Sequence, residues 1–315
     1  MEIKGEIETL VKRARVNRPT PAKLKLVEMA AAIRTEPENV EWAFMARQLV
    51  QCTLPHRNPG NVPVWTRRNG NLALGIQPGY DLETGKCIGF PYGSIPRLLL
   101  FWMVTEAKRT GNRRLELGHS LAEFMHLVGL NPDNGTGLRS DARRLREQMA
   151  RLFRATISFQ QSSTRPDGHG VRWMDMQIAP EGELWWETKT PKQSVLWGSW
   201  IELGDKFYEA IMAAPVPLDM RALKALKQSP LALDIYAVMN YRAHTAKEAV
   251  FLSWDLLRKQ LGTDFVDAKN FKKNLLPVLR KVRAVAPHLK IEQVRGGVVL
   301  HPSRGAITGK STTQS

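Results

Sequence analysis

The sequence predicts an α+β chain with two tandem winged-helix units behind an N-terminal arm and hairpin. Three observations lead there. The order helix–strand–helix–helix–hairpin occurs twice, from Gly93 and again from Ser229-Pro230. Ser120 to Gly129 overlays Ser253 to Gly262 without a gap, and Asp141-Ala142-Arg143 overlays Asp267-Ala268-Lys269. The third helix of each copy sets an apolar stripe against a basic face. In such an order the second and third helices form a helix-turn-helix, and the hairpin is the wing.

The elements follow in chain order. Residues 1–53 read as an arm with short helices. Asn17-Arg18-Pro19-Thr20-Pro21 is a break, Leu24, Val27, Met29 and Ile33 line a helix, and Val40, Phe44 and Leu49 fit a second from Glu38 to Val50. Residues 54–92 hold a hairpin. Val64 to Arg68 leads into Asn69-Gly70, Leu72, Leu74 and Ile76 alternate beyond it, and Asn-Gly suits a type I′ turn.

The first unit spans 93–180. It has a helix over 94–108, a strand at Leu115-Glu116-Leu117, and a helix capped by Ser120 and stopped by Gly129. A third helix covers 138–154, and strands at 155–160 and 171–178 flank a turn-rich SSTRPDGHG. Residues 181–204 form Trp-rich connecting strands. The second unit, 205–304, repeats the order with helices over 231–243, up to Gly262, and 267–285. Its wing runs from Lys290 to His301 and turns at Gly296-Gly297. A basic tail, expected to be disordered, closes the chain at 305–315.

Charge narrows the function. The 315 residues carry 46 Lys and Arg against 30 Asp and Glu, a net charge of +16. A balance of that size serves a polyanion. The longest apolar run, Leu98 to Val104, is far short of a membrane helix, and the N-terminus has no signal-peptide core. Two cysteines, Cys52 and Cys87, cannot make a structural zinc site alone. A reducing cytoplasmic location is expected.

The third helices are the candidate DNA-reading elements. Leu138, Ala142, Leu145, Met149 and Leu152 make one stripe, with Arg139, Arg143, Arg144, Arg146, Arg151 and Arg154 beside or opposite it. In the second copy Phe271, Leu275, Val278 and Val282 make the stripe. Lys269, Lys272, Lys273 and Arg280 face away, and Asn270 and Asn274 could pair with adenine. A solvated helix face usually mixes signs, whereas these are almost wholly basic. Wing contacts are expected from Arg165, His169 and Arg172 in the first hairpin and from Arg295 in the second, with Arg304 just beyond it.

Other motifs carry no chemistry. Gly305-Ala306-Ile307-Thr308-Gly309-Lys310-Ser311 resembles a phosphate loop but is one residue short, with no room for the helix that must follow. No histidine pair has the spacing of a nickase metal site, and no nucleophile–base pair or carboxylate cluster appears. The expectation is a non-enzyme with no cofactor. Trp173, Trp185, Trp186, Trp197 and Trp200 suit either stacking on single-stranded bases or, as the preferred reading, packing of a sheet joining the units.

Several stretches are similar to plasmid-encoded RepA replication initiators of broad-host-range plasmids. They are Gly89 to Leu100 (GFPYGSIPRLLL), Trp65 to Leu72 (WTRRNGNL), Pro215 to Leu223 (PVPLDMRAL) and Ser229 to Tyr236 (SPLALDIY). The likeness runs from roughly residue 54 to 302. It implies a protein that binds double-stranded repeats at a plasmid origin, opens an adjacent AT-rich stretch and helps recruit the host helicase. It also implies monomers on the repeats and homodimers when repressing, and it carries over no catalytic residues. A transcriptional repressor of the same fold is the alternative.

Overall fold

The computed structural model describes residues 19–133, 137, 140–185, 198–261, 265 and 267–303. Leu138, Arg139, Trp186, Trp197, Arg304 and the 305–315 tail lie outside them, as does the side chain of Arg165.

Two long helices form the centre. Helix α3 (Ser94–Thr110) is buried on nearly every side from Ile95 to Val104, and helix α8 (Pro230–Thr245) from Leu231 to Asn240. Helices apolar all round belong in a core, and these two pack on each other. Gly111 ends α3 in the left-handed conformation at φ 70°. Ser229 caps α8, its hydroxyl accepting from the Ala232 N–H.

In the N-terminal region α1 (Pro21–Thr35) is capped by Thr20 and buries only Ala30 and Ile33. The helix expected over 38–50 is instead strand β1 (Trp42–Ala46) followed by the short helix α2 (Arg47–Gln51). Strand β1 pairs antiparallel with β9 (Pro215–Asp219), Trp42 opposite Asp219 and Ala46 opposite Pro215. A partner about 170 residues away overrides the local helical spacing.

Next come β2 (Trp65–Asn69) and β3 (Leu72–Gln77). Asn69 pairs with Leu72, so the turn centres on Gly70-Asn71, and only Gly70 has positive φ, 58°. A glycine with positive φ at the first central position alone is the requirement of a type II′ turn, not the expected I′.

The first unit continues with β4 (Arg114–Glu116), α4 (Leu121–Leu127), α5 (Asp141–Phe153), β5 (Thr156–Arg165) and β6 (Gly168–Gln177). The hairpin is longer than its sequence suggested, because both strands run through the turn-rich segment. The sheet order is β2-β3-β5-β6, so the N-terminal hairpin extends the β5–β6 hairpin into one sheet. Strand β4 instead pairs with β8 (Trp200–Glu202), beside β7 (Glu181–Glu183). Of the tryptophans expected to pack a joining sheet, Trp173 is 70% exposed and Trp185 58%, so these two fill no core, whereas Trp200 is half-buried on β8.

The second unit adds α6 (Asp205–Ala213), α7 (Met220–Leu226), β10 (Val250–Ser253), α9 (Trp254–Leu261), α10 (Ala268–Val285), β11 (Ile291–Val294) and β12 (Gly297–Leu300). Its sheet, β10-β12-β11, closes within the unit. The turn falls at Arg295-Gly296 rather than Gly296-Gly297. Gly297 sits inside the strand, where an added Cβ would come within 2.2 Å of the Leu252 carbonyl oxygen. Pro277 lies inside α10, which remains one helix. Among the described residues no helix is long and apolar enough to cross a membrane.

Candidate nucleic-acid interface

Both candidate helices begin on a side-chain cap. The Ser140 hydroxyl accepts from the Arg143 N–H, and Asp267 Oδ1 accepts from the Asn270 N–H at 2.6 Å. Helix α5 buries Ala142, Leu145, Gln148, Met149, Leu152 and Phe153; α10 buries Phe271, Leu275, Val278, Leu279, Val282 and Val285. These stripes fix which residues face outward.

Helix α5 shares its cations with carboxylates. Arg143 donates to Glu147 at 3.2 Å, and Arg144 to Asp141 at 3.3 Å. Both arginines are about half exposed, and such surface pairs contribute about 0–1 kcal/mol. A phosphate can replace the carboxylate at little cost. Arg146 is half-buried and Arg154 exposed. Arg151 points elsewhere. Its Nε donates to the Ile88 carbonyl at 3.0 Å and its guanidinium lies 5.3 Å from the centre of the Tyr92 ring. The Tyr92 N–H donates to Gln148 Oε1 at 2.9 Å. Arg151 thus fastens the 88–92 segment to α5 and does not join the outward group.

Helix α10 has no acid between Ala268 and Val285. Lys269, Asn270, Lys273, Asn274, Arg280, Lys281 and Arg283 are exposed, and among the described residues none of these cations makes an ion pair. Lys272 is half-buried, its ammonium 5.6 Å from the centre of the Trp254 ring on α9. Asn274 donates to both the carbonyl and the side-chain oxygen of Asn270, at 2.9 and 3.1 Å. The C-terminal half of α10 runs beside α1, where Arg280 and Lys281 line a cleft with Lys23 and Val27. The first turns carry Lys269, Asn270 and Lys273 clear of that contact.

Arg172 is exposed on β6, and Arg295 stands at the β11–β12 turn. His169 is held by Thr164 across the β5–β6 tip at 3.3 Å.

A second group of charged residues, not singled out from the sequence, joins the units. Arg97 on α3 reaches Asp234 on α8 with two donors, Nε to Oδ1 and Nη2 to Oδ2, each at 2.7 Å. Its remaining hydrogens go to the carbonyls of Leu54, Pro55 and Gly93. His56 Nε2 meets Asp234 Oδ2 at 2.7 Å. Burial alone would raise the Asp234 pKa, yet the Arg97 charge and the hydrogen bonds hold it well below the ordinary range. Burial lowers the His56 pKa, with Asp234 opposing. Asp219 and Arg221 add a largely buried pair at 2.8 Å, and Arg221 also donates to the Glu36 carbonyl. Arg67, 1% exposed, donates to Thr53 Oγ1. The signal was present: all four RepA-like stretches contribute to this frame.

A sequence family described as plasmid-encoded RepA protein matches residues 90–256, which include Arg97 and Asp234 but stop short of α10. No curated protein sequence matches. Domains 2 and 3 of RctB, solved as a selenomethionine derivative, are similar at 12% identity with a TM-score of 0.50, covering 79% of this chain and 95% of that one. A second RctB domain 2–3 structure gives 11% identity and a TM-score of 0.48, covering 80% of this chain and 94% of that one. The first likeness extends to the fold, a mixed α+β arrangement with open sheets. With more than half its length matched, the chain belongs to the family of plasmid-encoded RepA proteins.

Proposed function

We propose that this protein is a plasmid replication initiator that binds repeated duplex sites at its origin through two winged-helix units. In this reading α4 with α5, and α9 with α10, are the helix-turn-helix pairs, and the hairpins β5–β6 and β11–β12 are the wings. The observation that carries it is the outward face of α10: exposed lysines, arginines and asparagines with no carboxylate among them. Bidentate amides and cations of this kind read base edges and neutralise phosphates.

Two such helices on one frame suit successive major grooves about 34 Å apart. Occupancy of adjacent repeats would bend the DNA and strain easily unstacked steps beside them. That supplies local melting without nucleotide hydrolysis, in keeping with a non-enzyme acting in the cytoplasm. Recruitment of host replication proteins and homodimerisation rest on family membership. Repression of transcription would use the same face.

The test is binding of the full chain to its origin repeats across a salt series. With about 6–10 phosphate contacts, affinity should fall about 10³–10⁵-fold between about 50 and 200 mM salt. A flat titration, or equal affinity for scrambled duplex at every salt concentration, contradicts the reading.

A further inference from the structure

We propose that the cleft between the inner face of the wing sheet and helices α2, α6 and α8 binds single-stranded DNA. The cleft exists because the sheet outruns its core. Cross-strand rows share a face. The row Ile76–Ile157–Met176 is buried, and the next, Leu74–Phe159–Met174, is buried or nearly so. The third, Leu72–Gln161–Arg172, turns polar and opens into a cleft of about 700 Å³.

Its far wall supplies Arg47, Gln48 and Gln51 from α2, Lys206 from α6 and Tyr241 from α8. Strand alternation keeps Arg172 and Met174 on the inner face and turns Trp173 to the opposite face, 70% exposed; because β6 is the edge strand, Trp173 still borders the cleft mouth. Three cations, Arg47, Arg172 and Lys206, stand against one carboxylate, Glu209. Gln48 Oε1 is buried at the cleft with no hydrogen-bond partner among the described residues. A buried acceptor without a donor is costly, and a base N–H arriving in the cleft would satisfy it.

Cations, amides and an exposed indole together fit a strand that shows phosphates, base edges and base faces at once. A duplex keeps its base faces stacked inside and offers the indole nothing. The choice of DNA over RNA rests on the proposed duplex reading. β6 is the wing strand, and it carries Arg172 from the tip to the cleft.

The experiment measures anisotropy of a labelled oligothymidylate of about 16 nucleotides and, separately, of an origin duplex, with the full chain and its variants. Trp173→Ala and Arg47→Ala, both at exposed positions, should each lower single-strand affinity about tenfold or more. Origin-duplex binding should stay within about twofold, and Trp173→Phe should recover most of the loss. Unchanged oligothymidylate binding in both alanine variants overturns the proposal. Equal binding of oligouridylate, lost in the same variants, overturns the assignment to DNA. A parent chain that ignores the duplex but binds the single strand through these residues removes the initiator reading and leaves the cleft assignment standing.

Discussion

Two regions of this molecule use cations in opposite ways. In the frame between the units, Arg97, Arg221 and Arg67 are largely or wholly buried, and their donors go to carboxylates, carbonyls and a hydroxyl of the chain itself. On α10 every cation but Lys272 is exposed, and among the described residues none meets a carboxylate. A formal charge of +16 is therefore not one property: part of it holds the two units in register, and part faces outward. Helix α5 lies between the extremes, with Arg151 turned inward and Arg143 and Arg144 loosely paired at the surface.

The largest expected effect breaks the frame. Asp234→Ala leaves the Arg97 guanidinium buried without its carboxylate and should destabilise the fold by about 3–5 kcal/mol, read by urea unfolding of the full chain. A loss near zero would mean that the frame does not depend on this pair. A smaller effect distinguishes the arginines of α5. Arg151→Ala should cost about 1–3 kcal/mol of stability, since it removes a charged donor to the Ile88 carbonyl, and leave the salt slope of DNA binding unchanged. Arg143→Ala should do the reverse, with stability within about 0.5 kcal/mol and a salt slope smaller by about 1.

Acid probes the buried histidines, His56 in the frame and His288, which meets the Asn240 side-chain oxygen at 2.8 Å. Burial lowers the folded pKa of His56 and of His288, so the unfolded chain binds protons more readily. Their contribution is complete above the ordinary histidine value of about 6.5 and is lost as pH falls below it. Asp234, also depressed, adds a further loss below about 4. The urea midpoint should therefore fall on acidification from about pH 7.5 to 5.5, and less steeply in His56→Gln. An acid-independent midpoint would contradict neutral burial of both histidines. The smallest effect belongs to Arg280, which lies along α1 and is expected to meet backbone rather than bases. Arg280→Ala should weaken specific and scrambled duplex equally and lower the salt slope by about 1.

Much of this was legible in the sequence because it is local. Ser120 caps the helix it precedes, as expected; Ser229 and Asp267 do the same at helix starts the pattern placed, while Ser140 is the cap of a helix expected to begin at Leu138. Ala142, Leu145, Met149 and Leu152 on α5 and the stripe of α10 are buried where their spacing placed them. What failed was pairing at a distance. Strand β1 looked helical because its partner, Pro215–Asp219, is remote in sequence, and nothing near Leu115 announces that β4 will pair with Trp200–Glu202. The frame was missed for another reason. Arg97 and Asp234 each look like an ordinary charge on an apolar helix, and they become a unit only when α3 meets α8. Arg151 falls on the basic flank of α5 by spacing, and only the returning 88–92 segment turns it inward.

The central claim is that α10 reads sequence with the first turns of its outward face. Competition binding of Asn270→Ala and Lys273→Ala to origin repeat and scrambled duplex, with thermal unfolding as a control for folding, tests it most directly. Each variant should lose about 1–3 kcal/mol on the origin repeat and little on the scrambled DNA. Equal losses on both DNAs in folded variants would contradict the claim and move specificity to α5.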